Sequence, residues 1–186
     1  MVRGTAALLV VAALCGPAFA GGPTHHGKLR LDRPGRGRID LNTGEAAFTV
    51  KKWLFLPAAD TDGIDPTTEQ VTIGVADEKF VLPVGSVKAS RNGKKFSYRS
   101  NTDRGVQALK LVLQSDGDYK LKLLKVAGVD LSTLVISDPP ICLGFALIIG
   151  NDDGFSGVSF DRPKPFPSKL LTLPGFCTNT TDWPWL

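Results

Sequence analysis

Residues 109–123 read LKLVLQSDGDYKLKL, and this stretch decides the fold. Leu109, Leu111 and Leu113 recur at every second position, with Lys110 and Gln114 of the opposite parity. Tyr119, Leu121 and Leu123 repeat the pattern, with Lys120 and Lys122 between them. A period of two sends successive side chains to opposite faces of a strand, whereas an amphipathic helix needs spacings of three and four. Asp116-Gly117 lies between the two runs and is a pair suited to a tight reversal. The stretch therefore predicts an antiparallel hairpin with one wet face and one apolar face.

The same grammar extends in both directions. Asn92-Gly93 predicts a two-residue turn between 86–91 and 94–99, with Phe96 and Tyr98 facing inward. Val71, Ile73 and Val75 alternate, and 80–82 returns beside them across Asp77-Glu78. Segments 37–41 and 46–56 flank the turn signal Asn42-Thr43-Gly44. Phe48 and Val50 have one parity and Trp53 and Phe55 the other, which places a bulge or bend at Lys51-Lys52. In 141–149, large residues alternate with Cys142, Gly144 and Ala146, as in a central strand buried on both faces. It would return through 157–160 across the loop Asn151-Asp152-Asp153-Gly154. Only 129–134 suggests a short helical turn. Pro163, Pro165 and Pro167 make the following tail extended. Eight to ten short strands with frequent turns predict an all-β, mainly antiparallel β-sandwich, immunoglobulin-like or jelly-roll-like, with a β-barrel as the alternative.

The first twenty of the 186 residues have a different character. Arg3 gives a positive start, 6–14 (AALLVVAAL) is a short apolar core, and Ala18-Phe19-Ala20 supplies a small-x-small exit. This is the pattern of a secretory signal peptide cleaved after Ala20. Leu14 precedes Cys15 where lipidation needs a small residue, so a lipid anchor is disfavoured. The expected organisation is a signal peptide at 1–20, a loose Gly/Pro-containing leader at 21–27, and a single sandwich domain at 28–186 with an extended C-terminal tail. Export would place the chain in the periplasm or outside the cell. There, Cys142 and Cys177 would form a disulfide closing a loop of about 36 residues, with a chain-entropy stabilisation of about 3–4 kcal/mol. The longest apolar run, 141–149, is about half the length a spanning helix needs, so no membrane span is expected in the mature chain.

The net charge is +4, too mild to identify a partner. Lys28, Arg30, Arg33, Arg36 and Arg38 cluster early, but no aromatic residue interleaves with them to stack on bases, so nucleic acid is not an expected partner. The acidic loop Asp60-Thr61-Asp62-Gly63-Ile64-Asp65, with Glu69 beyond, is the best candidate for a site. Hard oxygen ligands at alternate loop positions suit Ca²⁺. The spacing departs from an EF-hand, because Gly63 directly follows the second Asp, and Asp also initiates turns without any ion. Asn151, Asp152 and Asp153 form a second acidic cluster. If both clusters stood at one end of a sandwich, an ion would be favoured. The candidate metal ligands are thus Asp60, Asp62, Asp65, Asp152 and Asp153, with Ca²⁺ the only cofactor suggested.

His25 and His26 are the only histidines. They lie in the leader with no acid or cysteine near them in sequence, which disfavours a metal tether and leaves a serine or cysteine triad without a base. Trp53 reads as core, and Trp183 and Trp185 as a clamp on an open edge or end.

Three stretches resemble an uncharacterised group of exported β-modules found in bacteria, especially myxobacterial-type species. They are 48–74 (FTVKKWLFLPAADTDGIDPTTEQVTIG), 96–100 with 105–111, and 116–134 with 146–154. The resemblance implies an exported domain and brings no functional residue with it. The expected function is a non-catalytic binding or structural role at the cell envelope or outside the cell, with a polysaccharide or envelope protein as partner. The alternatives are a Ca²⁺-dependent carbohydrate- or surface-binding module and a carboxylate-based hydrolase of extracellular polymers, which would need two carboxylates across a groove.

Overall fold

The structure is a computed structural model and describes residues 23–31, 36–39, 45–132, 141–160 and 171–172. Residues 1–20, expected to be a signal peptide, and Cys177, Trp183 and Trp185 lie outside the described residues, as does the side chain of Cys142. The described residues form strands and no helix: β1 (His25–His26), β2 (Lys28–Leu31), β3 (Arg36–Ile39), β4 (Glu45–Val50), β5 (Trp53–Leu56), β6 (Val71–Val75), β7 (Glu78–Leu82), β8 (Lys88–Ala89), β9 (Lys95–Arg99), β10 (Gly105–Leu113), β11 (Tyr119–Asp130), β12 (Ile141–Ile149), β13 (Asp152–Phe160) and β14 (Leu171–Thr172).

They make two sheets. One runs β1-β13-β12-β6-β7. The other runs β14-β3-β4-β11-β10-β9-β8, with β5 also on β11 and β2 outside β5. Among the described strands, only β1 with β13 is parallel. Neither sheet closes into a barrel, so the architecture is a β-sandwich. Inward-facing side chains fill the gap between the sheets. Phe145 of β12 meets Phe48 of β4 and Trp53 of β5 edge-on, with ring centroids 5.4 and 5.3 Å apart. Such geometry sets the positive ring edge against the negative face. Trp53 is wholly buried, as its strand position predicts.

β10 and β11 form the hairpin of the decisive stretch, pairing Leu113 with Tyr119 and Leu111 with Leu121. Gly117 takes a φ of 93°, and the Gln114 N–H donates to the Asp118 carbonyl. The apolar alternation changes phase inside β11, where Leu121 and Leu124 are both buried. A register shift on the β10 side, between Lys110 and Leu111, leaves Lys122 as the extra residue. The opposite neighbour bends at the same place. β4 pairs Val50 with Leu124, β5 pairs Trp53 with Leu121, and Lys52 between them has a φ of 63°. The parity switch at Lys51-Lys52 is therefore a bend matched by its partner strand.

Four local expectations differ from the structure. Of the 129–134 stretch, 133–134 lie outside the described residues and 129–132 are not helical, because β11 continues as strand to Asp130, with Val129 and Leu131 buried. Asn92-Gly93 is not a two-residue turn. Ser90 and Lys95 close a four-residue loop, held by Asn92 Oδ1 accepting from the Ser90 hydroxyl and the Lys94 N–H. Asp152 and Asp153 are not in a loop. The β12–β13 reversal is Gly150-Asn151, with Ile149 opposite Asp152 and Gly150 at a φ of 60°, as a Gly-first two-residue turn prefers. Finally, residues 24–27, expected in a loose leader, are bonded along β13. The N–H groups of Thr24 and His25 donate to the Asn151 carbonyl at 2.9 and 3.0 Å, and that of Gly27 to the Asp153 carbonyl at 2.9 Å.

Candidate functional site

These last two differences build the site. Gly27 is the point where the chain crosses from β1 in one sheet to β2 in the other. A Cβ there would collide with the Leu56 carbonyl oxygen and lie 2.9 Å from the Asp153 carbonyl oxygen, so only glycine fits the crossing. The crossing sets His25 and His26 beside Asp152 and Asp153, their parallel partners across β1–β13. The loop between β5 and β6, residues 57–70, reaches the same end. Its Asp62 accepts a 3.5 Å hydrogen bond from Asn151 Nδ2. Its Asp60 Oδ1 lies 3.6 Å from His25 Nδ1. Glu69 packs against Gly150, where an added Cβ would strike its carboxyl group.

Both acidic clusters thus meet at one end, joined by the two histidines. The individual acids differ sharply. Asp65 is occupied by turn chemistry: its Oδ1 accepts from the N–H and hydroxyl of Thr67 at 2.9 and 2.7 Å, which holds its carboxyl below the usual range. Its own N–H donates to Glu69 Oε2 at 2.6 Å. Asp60 and Asp62 are exposed. Asp152 and Asp153 are buried, at 0% and 1% exposure.

Strand alternation separates those two. Asp152 shares its face with Gly154, which abuts the Phe55 ring, and with Val158 of the core, so it points between the sheets. Neither of its carboxylate oxygens has a hydrogen-bond partner among the described residues. Asp153 points the other way, and His26 Nδ1 lies 2.9 Å from its Oδ2. Burial raises the Asp153 pKa, and the His26 contact opposes that shift. Glu69 is also pushed up, first by burial and then by the charges of Asp152, Asp62 and Asp65. Tyr119 donates to the Ile64 carbonyl at 2.8 Å, anchoring the loop to β11. Burial raises its pKa, and the charges of Asp65, Glu69 and Asp152 add to that.

Among the described residues, no three His, Cys, Asp or Glu side chains stand close enough to hold one ion as placed. No helix among them is long and apolar enough to cross a membrane. Of the early basic cluster, Lys28 and Arg30 are exposed on β2, and Arg36 and Arg38 lie on β3. Away from the acidic end, a concavity of about 420 Å³ lies at the far edge of the first sheet, between β7 and β9–β10. It is lined by Phe80, Tyr98, Ser100, Thr102 and Arg104, the last ion-paired with Glu78. No protein-family model, curated protein or solved structure matches the chain.

The sequence signal for the acids was local and visible. The role of the histidines was not, because their carboxylate neighbours lie 35 and 127 positions away along the chain.

Proposed function

We propose that the chain is an exported, non-catalytic β-domain that binds a ligand at the cell envelope or outside the cell, and that its acidic end is the binding surface. The observation that carries this reading is the convergence there of Asp60, Asp62, Glu69, Asp152 and Asp153 with His25 and His26, from three distant segments. Natural domains rarely bury carboxylates without partners, since a lone buried charge is costly. An arrangement that buries Asp152 with no hydrogen-bond partner among the described residues, beside an Asp153 braced only by His26, serves something other than packing.

Binding accounts for these residues better than turnover does. His26 and Asp153 form two thirds of a hydrolytic triad. Among the described residues, however, no Ser, Thr or Cys is hydrogen-bonded to His26, so the pair acts as a brace for a buried carboxylate. Asp60 and Asp62 are exposed on the loop and supply the accessible negative charge. A surface of this sign attracts a cationic group directly, and an acidic sugar only through a bridging cation. The polysaccharide or envelope protein expected as partner would be recognised in one of these two ways.

The test is co-sedimentation of the mature protein with insoluble envelope polysaccharide and with purified envelope fractions. The comparison variant is Asp60→Asn/Asp62→Asn, which removes two exposed charges and leaves the buried carboxylates in place. The reading predicts that wild-type retention is lost in the variant. Equal retention of both proteins, or retention of neither, would contradict it.

A further inference from the structure

We propose that the acidic end takes a calcium ion, with Asp152 as its buried base and Glu69 and Asp62 closing over it from the 57–70 loop. The inference rests on the binding reading above and names the inorganic part of what that end recognises. Asp152 supplies the key observation: it is fully buried, faces between the sheets, and has neither carboxylate oxygen bonded to any group. No hydrogen-bond donor among the described residues satisfies it, so a cation is the fitting complement to a carboxylate in that position.

The surrounding chemistry selects the ion. Glu69 lies against Gly150, two residues from Asp152 in the same reversal. Asp62 is tethered to Asn151, the residue next to Asp152. All are hard oxygen donors, which suit Ca²⁺ with its six to eight flexible oxygen ligands. Zn²⁺ prefers nitrogen and sulfur, and His26 Nδ1 is already committed to Asp153. The donors are spread apart as the structure stands, and Asp62 is exposed on its loop, so ion binding would draw the loop inward. Asp65 and Asp153 drop out of the ligand set: the first is held by Thr67 and the second faces the opposite side of β13.

The experiment is thermal melting and calorimetric titration of the mature protein, stripped with EDTA, using CaCl₂ alone and then MgCl₂ and ZnCl₂. The proposal predicts a rise of about 5 °C or more at saturating Ca²⁺. Asp152→Asn should abolish the rise while the metal-free protein melts no lower than wild type, because a buried charge has been removed. Glu69→Gln should weaken Ca²⁺ affinity about tenfold or more, and it carries the test if Asp152→Asn fails to fold. Asp65→Asn should keep the response. The proposal is overturned if wild type ignores Ca²⁺, if Asp152→Asn and Glu69→Gln respond as wild type does, or if Zn²⁺ stabilises and Ca²⁺ does not. A protein that ignores Ca²⁺ yet still sediments with its ligand through Asp60 and Asp62 would end this proposal and leave the binding reading intact.

Discussion

Replacing Gly27 with alanine tests whether the N-terminal segment is built into the acidic end. The added Cβ would overlap the Leu56 carbonyl oxygen, lie 2.9 Å from the Asp153 carbonyl oxygen and 3.1 Å from the Pro57 carbonyl carbon. All three are backbone atoms, so no side-chain rotation relieves the crowding. Either β1 lifts from β13, with loss of the Gly27-to-Asp153 hydrogen bond, or β2 and β5 separate. Overpacking of this kind costs about 1–3 kcal/mol, and a domain of this size loses roughly 2–4 °C per kcal/mol. The expected drop in melting temperature is therefore about 2–12 °C. Urea denaturation supplies the free energy, and amide exchange locates the change, with Thr24, His25 and Gly27 exchanging faster than in wild type. Gly93→Ala is the control, since it has a positive φ in open space and should cost only about 1 kcal/mol. If Gly27→Ala matched wild type in both stability and exchange, β1 would not be docked as described.

Phe145→Ala should cost about 3–5 kcal/mol by urea denaturation, since it empties the centre of the sandwich and removes two edge-on ring contacts. Gly154→Ala should be destabilising too, because its Cβ would lie 2.7 Å from the Phe55 ring between the sheets. Stability of the metal-free protein should depend on pH with a definite sign. Glu69 and Asp153 have folded-state pKa values raised above their ordinary values of 4.5 and 3.8. Their contribution is thus fully present below those values and is lost as pH rises through the folded ones. Asp65 and Asp130 are lowered, so theirs is present above 3.8 and lost as pH falls through their folded values. The melting temperature should rise as pH is lowered from neutral toward the ordinary carboxylate range, then fall at lower pH. A melting temperature that does not rise as pH falls toward the ordinary carboxylate range would contradict the raised values of Glu69 and Asp153. For the proposed Cys142–Cys177 disulfide, a thiol assay on the unreduced, unfolded mature protein should find no free thiol.

The sheet structure was legible where side chains obey strict alternation, and less so where backbone geometry decides. Leu109 to Leu123 declared a hairpin because one face had to be apolar. The bend at Lys51-Lys52 was readable because Phe48 and Phe55 have opposite parity and both are large. The boundary of β13 was not readable, since Asn-Asp-Asp-Gly has turn composition. The turn was instead taken one pair earlier by Gly150, whose positive φ suits it better, and this carried Asp152 and Asp153 into a buried strand. The Asn92-Gly93 reversal lengthened because Asn92 spends its side chain capping the loop.

The candidate site follows the same division. Asp60, Asp62 and Asp65 were found as a loop, but which of them is free depends on Thr67, which binds Asp65 alone. Glu69 was visible as an acid beyond the loop, and only the Gly150 reversal brings it against the second cluster. His25 and His26 could not be assigned, because a parallel pairing with residues 152–153 places both, setting His26 against Asp153 and His25 within reach of Asp60. Pairing between distant strands has no local signature, unlike a hairpin with its turn residues.

The most direct test of the convergence is a proton–proton contact map of the labelled mature protein by nuclear magnetic resonance. The account predicts backbone contacts between residues 24–27 and 151–153, together with contacts from Asp62 to Asn151. A spectrum that kept the Ile149–Asp152 hairpin contacts and lacked both of these sets would contradict it.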